Sequence, residues 1–258
     1  MNRYAAVAEY YDAENERLEM LRRDVPFFLE HLPRRRRLSV LELCAGTGRA
    51  AIPIAQAGHA VVGVERDPAM LAIAARKRDA VGLRERELKL LRGDVLKLDL
   101  ARRFDRVCIF FNTLLAFTTL QMQDRLLGVV RAHLKRGGVF WLDIFHPDHH
   151  LLAERKSIGM ETSSFHVPAL GRTVVMTVDV RREMSRQWME VTYHYLWYDQ
   201  HGQERREKAS LEMTAIFPRE LRLLLERNGF RIDKLYGNYD GSALSAGSPR
   251  MIAACRPA

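Results

Sequence analysis

Apolar and polar positions follow three different rhythms along this chain, and the changes of rhythm divide it. Over residues 4–31 the apolar side chains recur at three- and four-residue steps. Leu18, Leu21, Val25, Phe28 and Leu32 form one stripe, which predicts one or two amphipathic helices. Pro33 and the four arginines at 34–37 break that pattern. From Leu38 onward, short runs that are mostly apolar alternate with helical segments. The runs at 38–43, 59–65, 88–91, 104–111 and 139–145 read as strands. Helices at about 48–57, 68–80 and 121–134 separate them, with Pro68 in a favoured first-turn position. Strands that are apolar on both faces and joined through helices predict an α/β fold, a parallel sheet covered on both sides. Asp143 is the one charge inside the fifth run.

The rhythm changes again at Pro147. From about Thr162 to Phe217 the apolar positions alternate with period two. Val174, Met176, Val178 and Val180 form one stripe, and Val191, Tyr193, Tyr195 and Trp197 another. A turn at 199–202 and a further strand at 209–216 complete an antiparallel meander inserted into the α/β unit. A helix at 218–228, a strand at 230–236 and a last strand at 249–255 close the chain. One domain with an insertion is expected, without repeats or linkers.

The first strand runs into Glu42, Leu43, Cys44, Ala45, Gly46, Thr47 and Gly48. The two glycines permit a sharp turn and leave room for a ligand. A helix then opens with its free N–H groups facing the crevice at the strand ends. Strand two ends in Glu65, about twenty residues on, where a carboxylate can accept from both hydroxyls of a ribose. Gly46, Gly48 and Ala51 also satisfy the looser dinucleotide fingerprint, so a nicotinamide-dependent oxidoreductase enters as an alternative. Three features oppose it. Glu42 places a negative charge just before the turn, repelling a pyrophosphate and welcoming an amino-acid ammonium group. A long helical segment precedes the first strand, where dinucleotide domains often begin. No second βαβαβ half follows the fifth strand. The nucleoside these features favour is S-adenosylmethionine (SAM).

Composition narrows the setting. The 258 residues are 47% hydrophobic and 28% charged, as in an ordinary globular protein. Three cysteines, Cys44, Cys108 and Cys255, lie far apart and form neither a disulfide framework nor a zinc site. The first twenty residues carry acidic side chains and read as neither a signal nor a transit peptide, so a cytoplasmic location is expected. No apolar run approaches the length of a membrane span, and no membrane partner is expected. The net charge of +9 permits a nucleic-acid partner, but the basic residues are spread along the whole chain. Only the block at 34–37 is dense, and such a run usually marks a solvated face.

Together these residues resemble the class I SAM-dependent methyltransferases over nearly the whole chain. Glu42 to Gly48 resembles their first motif, with Cys44 in place of the first glycine; Val62 to Leu71 resembles the second. The resemblance implies that Glu65 holds the ribose, with Arg66 beside it, and that Met70 packs on the adenine. Asp94 and Val95, in Arg92 to Val95, would read the adenine amino group. Phe104 to Leu115 resembles the fourth motif, which puts Phe111 and Asn112 below the reactive methyl, and Ala45, Gly46 and Gly48 line the cofactor. The implied fold is a Rossmann-like seven-stranded sheet of order 3-2-1-4-5-7-6 with the last strand antiparallel. On this reading residues 1–37 are a helical lid, 38–146 the SAM-binding core, 147–217 the insertion and 218–258 the end of the core sheet. The layout, with Tyr10, Tyr11 and Asp12 on the first helix, is similar to glycine and amino-sugar N-methyltransferases. There the lid closes over SAM, and the insertion shapes the acceptor pocket or a homodimer interface.

Methyl transfer from a sulfonium needs the acceptor lone pair held on the methyl–sulfur axis, and such positioning alone can supply roughly 7–11 kcal/mol. A small-molecule amine or hydroxyl is the expected acceptor. Tyr11 and Asn112 are candidate groups at the transferring methyl, Asn112 because open sheets place ligands at strand ends. His146, after strand five, is a candidate base since imidazole titrates near neutrality. His146, Asp148, His149 and His150 superficially resemble a metal cluster, but metal-dependent O-methyltransferases use separated carboxylates and an Asn, so no metal is expected. Two alternatives remain: a nucleic-acid methyltransferase, which lacks its usual Pro-Pro-aromatic signature after Asn112, and a non-catalytic SAM-binding protein.

Overall fold

Each core strand divides its side chains between two hydrophobic layers, as the period of two requires. The computed structural model describes residues 7–33 and 35–258; Tyr4 to Ala6 of the expected first helix and Arg34 of the basic block lie outside them. β1 (Ser39–Leu43) sits between β4 (Phe104–Ile109) and β2 (Ala60–Glu65), parallel to both, and β3 (Leu88–Arg92) pairs beyond β2. β5 (Leu134–Phe145) pairs parallel to β4, while β11 (Arg250–Pro257) runs antiparallel to β5 and carries β10 (Phe230–Tyr236) on its outer edge. The order β3-β2-β1-β4-β5-β11-β10 is the expected one.

Val40, Val61, Cys108, Trp141 and Ile252 face a layer built with Val25 and Phe28 of α2 (Glu19–Glu30) and Ile52 and Ile54 of α3 (Ala51–Gln56). Leu41, Val62, Val107, Ile109 and Leu142 face the opposite way. They meet Leu126 and Val130 of α5 (Leu120–His133) and Leu221 and Leu225 of α7 (Pro218–Arg227). The apolar face of a second sheet joins this same layer. That sheet has the order β6 (Lys156–Val167), β7 (Arg172–Glu183), β8 (Trp188–Tyr198), β9 (Glu204–Thr214), antiparallel throughout. A short α6 (His149–Ala153) leads into it. α4 (Pro68–Ala80) starts at the cap Asp67, whose carboxylate accepts the Ala69 and Met70 N–H groups at 2.8 and 3.1 Å. No helix among the described residues is long and apolar enough to cross a membrane.

Several boundaries differ from the sequence reading: β5 begins at Leu134 and β9 at Glu204, each about five residues early, and α3, β4 and β6 shift for local reasons. The first helical segment forms two helices, α1 (Ala8–Asn15) and α2, one of the two outcomes its stripe allowed, and Leu18 is the extended, half-buried residue between them. α3 begins at Ala51 and not at Gly48, because Gly48 has φ +76° and cannot be helical. β4 stops at Ile109 because Phe111 and Asn112 both adopt left-handed backbone, φ 46° and 62°. β6 begins at Lys156, about six residues early; its first half is exposed, so no apolar alternation announced it.

Candidate active site

The turn after β1 enters left-handed backbone at three points. Cys44, Gly46 and Gly48 all have positive φ, of 60°, 55° and 76°. Cys44 thus stands in the conformation that glycine adopts freely, which explains why the resembling motif carries glycine there; for an L-residue it costs roughly 1–2 kcal/mol. A Cβ on Gly46 would meet nothing within 4 Å, so that side of the turn is open. On β2, a Cβ at Gly63 would come within 3.1 Å of Ala45 Cβ, so this glycine lets the turn lie close on its neighbour strand.

Glu65 is held against that turn by backbone alone. Its Oε2 accepts from Gly46 N–H at 3.0 Å, and Oε1 from Arg66 and Asp67 N–H at 2.7 and 2.8 Å. The Gly93 N–H donates to the Glu65 carbonyl at 3.0 Å, which brings the end of β3 alongside. Asp94 there accepts from Leu96 N–H at 3.0 Å, and Val95 is buried.

Glu42 is only 4% exposed and its Oε2 has no hydrogen-bond partner. Burial, partly offset by the Arg49 guanidinium, pushes its carboxyl up to about 8. Arg49 itself is committed to Asp24 of α2 through two bonds of 2.9 and 2.6 Å. An isolated buried carboxylate oxygen is costly and calls for a donor.

α1 is fastened over this turn. Asp12 accepts from Thr47 Oγ1 and from Lys77 Nζ, both at 2.6 Å. Tyr11 packs with Ala8, Met70 and Ile73, and burial pushes its phenol up to about 12. Tyr10, on the opposite side of α1, is buried against Tyr195 and Trp197 with ring centroids 5.1 and 5.9 Å away.

At the ends of β4 and β5 the structure brings Asn112 and Phe145 together. Asn112 Oδ1 accepts from Phe145 N–H at 2.7 Å, and Asn112 N–H donates to the Asp143 carbonyl at 3.0 Å. The Arg49 and Arg250 guanidiniums both lie over the Phe111 ring, 5.9 and 6.0 Å from its centroid. His146 is tied down through Nδ1, 2.9 Å from the Ser248 carbonyl, which leaves Nε2 as its other ring atom. His149 instead stacks on Phe217 at 4.8 Å, so the neighbouring histidines serve separate partners. The expected residues therefore form two groups, one around the glycine turn and one at the β4 and β5 ends.

Sequence reasoning missed Asp12, Asp24, Thr47 and Arg49. Asp24 carried one readable signal: it interrupts the apolar stripe of Leu21, Val25 and Phe28, and it is 1% exposed.

The comparisons agree with this architecture. Residues 40–138 match the methyltransferase domain family. The cypemycin N-terminal methyltransferase of a Streptomyces sp is 27% identical over 221 residues, 83% of this chain and 81% of that protein. The CcbJ methyltransferase from Streptomyces caelestis superposes with a TM-score of 0.79 at 23% identity, covering 99% of this chain and 96% of that one. SAM-bound CalS10, an amino pentose methyltransferase from Micromonospora echinaspora, gives 0.69 at 22% identity, with 95% of each chain covered. Residues 40–138 therefore carry a methyltransferase domain, and over nearly its whole length the chain has the fold of the SAM-dependent methyltransferases. Its relatives are methyltransferase enzymes, and a neighbouring structure of the same fold holds SAM.

Proposed function

We propose that this enzyme methylates an amine nitrogen of a small polar molecule. The observation that carries the cofactor half is Glu42 Oε2, a buried acceptor without a donor beside an open glycine turn. It fits the ammonium group of the methionine moiety. Glu65 would take the ribose hydroxyls with Arg66 at its side, and Met70, Asp94 and Val95 would enclose the adenine. Ala45, Gly46 and Gly48 would line the floor, and Tyr11, Phe111 and Asn112 would border the methyl. SAM, when bound, supplies a methyl on a cationic sulfur with a good leaving group. The protein's task is then to align the acceptor and exclude water. Relatives whose names specify an amine, the cypemycin N-terminal and amino pentose methyltransferases, support nitrogen over oxygen.

The test is a screen of small amines and alcohols with methyl-labelled SAM. Label on amine nitrogen is expected, and label on hydroxyl oxygen alone would overturn the reading.

Glu42 has its own signature. In the free protein at pH 7 a carboxyl lifted to about 8 holds its proton. An ammonium placed against it favours the ionised form, so binding should expel roughly one proton. Calorimetry of S-adenosylhomocysteine binding in buffers of different ionisation enthalpy should show this release in the wild type and its loss in Glu42→Gln. Equal proton release in both proteins would remove Glu42 from the site.

A further inference from the structure

A cleft of about 820 Å³ opens at the tip of the β7–β8 hairpin, bounded also by the end of α6 and by Thr118 and Thr119 just before α5. Four arginines line it, Arg155, Arg181, Arg182 and Arg186, against two glutamates, Glu183 and Glu212. Arg181 is paired with Glu190 at 3.2 Å and lies over the Trp188 ring, and Arg186 is paired with Glu183 at 3.5 Å. Arg155 is exposed and has no ion pair among the described residues.

Arg182 is only 8% exposed, and its guanidinium bonds to neutral partners alone. Nη1 donates to Ser157 Oγ at 2.7 Å and, at the limit of a hydrogen bond, to the Glu154 carbonyl at 3.5 Å. Nη2 faces the Met160 sulfur at 3.0 Å. The Glu154 carboxylate is reached only through Ser157, whose hydroxyl donates to it at 2.7 Å. Arginine is seldom buried without an anion beside it, and Arg250, also buried, has Asp143. The Arg182 N–H donates to the Arg155 carbonyl at 2.8 Å, so the two lining arginines that lack a carboxylate are neighbours along paired backbone.

We propose that this cleft binds a small molecule through a phosphate monoester, whose oxygens accept from Arg182 and Arg155. Four positive side chains against two negative ones leave two charges in excess, which match the dianion that such an ester carries at neutral pH. A guanidinium fork fits phosphate oxygens in pairs. The cleft holds more than a phosphate, since small-molecule sites span roughly 300–1,000 Å³. Thr118, Thr119 and Ser185 offer hydroxyls, and Trp188 an apolar surface, to the organic part. None of the residues assigned to the cofactor lines the cleft, and the proposal stands apart from the amine reading. A nucleic-acid backbone fits less well. The dense arginine block lies at the opposite end of the sheet, where Arg36 bonds Asp105 at the start of β4, and the cleft is built by segments that follow the ends of β4 and β5.

Calorimetric titration of the full chain with glycerol 3-phosphate, at physiological salt, tests this. Glycerate and glycerol serve as controls for a single charge and for none. The ester should bind, glycerate should bind at least about tenfold more weakly, and glycerol not at all. Arg155→Ala, at an exposed position, should weaken the ester about tenfold or more, and Arg182→Met should abolish its binding. Melting curves give a second readout. Arg182 leaves no carboxylate stranded, so Arg182→Met without ligand should melt no lower than the wild type. Glycerol 3-phosphate should raise the melting temperature of the wild type and leave that of Arg182→Met unchanged. A lowered melting temperature with undiminished ester binding would make Arg182 a structural residue and overturn the site. Should Arg182→Met fail to fold, Arg155→Ala decides, and full affinity there overturns the site as well. So does a wild type that ignores the ester or binds glycerate equally. Inorganic phosphate should bind more weakly than the ester, and equal affinity would make the free ion the ligand in place of an organic phosphate. A single-stranded oligonucleotide that binds where the ester does not, and more weakly in both variants, would give the cleft to nucleic acid.

Discussion

Glu65→Ala should bind S-adenosylhomocysteine at least about 100-fold more weakly than the wild type, because each hydrogen bond to a charged group contributes roughly 1.5–3 kcal/mol and a ribose offers two hydroxyls. The carboxylate is already oriented by three backbone N–H groups, from Gly46, Arg66 and Asp67, so little ordering remains to be done on binding. Calorimetric titration checks this, with NADH as a control ligand that should bind neither protein. Glu65→Gln separates charge from shape: it retains one acceptor oxygen and should fall between the two. Affinity within about tenfold of wild type in the alanine variant, a loss of less than roughly 1.4 kcal/mol, would place the ribose elsewhere.

Arg250→Met should lower unfolding free energy by about 3–5 kcal/mol, the cost of leaving a buried charge uncompensated. Arg250 and Asp143 have side chains only 2% and 1% exposed. Arg250 Nε and Nη2 both donate to Asp143 Oδ1, at 3.0 and 2.6 Å, and the Tyr239 hydroxyl donates to Oδ2 at 2.6 Å. Removing the guanidinium strands the carboxylate between β5 and β11. Because a domain is typically stable by only about 5–15 kcal/mol, this single change approaches the whole margin. The double variant Asp143→Leu with Arg250→Met should recover more than half of the loss, since a well-packed apolar pair replaces an ion pair at little net cost. Urea denaturation of the three proteins is the measurement. A loss below about 1 kcal/mol in the single variant would mean that Asp143 finds another partner or takes up a proton.

The same network reaches the site. The Asp143 carbonyl accepts the Asn112 N–H, and the Phe111 ring lies near Arg250. Loss of the ion pair should therefore disturb the β4 end as well as stability.

Much of the fold was legible because its signals are local. Leu41, Val62 and Val107 announced strands by apolar runs, and Pro68 marked a helix start. Asp143 stood out as a charge in an apolar strand, but nothing nearby named its partner. Whether residues 4–31 form one helix or two stayed open in the sequence, because Leu18 continues the helical stripe while its backbone is extended in space. The first half of β6 was hidden because an exposed edge strand needs no alternation.

By itself the sequence determined the alternation of strands and helices, the turn at Gly46 and Gly48, and the acid at the end of β2. Hydrophobic period and backbone permissiveness act over a few residues, so they are written in consecutive positions. Only the tertiary structure decided which charges are paired and which are left waiting. Glu14 meets Tyr195 across 181 positions, Arg250 meets Asp143 across 107, and Glu42 meets no hydrogen-bond donor at Oε2. The state of a buried polar group depends on everything packed around it, and packing assembles neighbours that are distant along the chain.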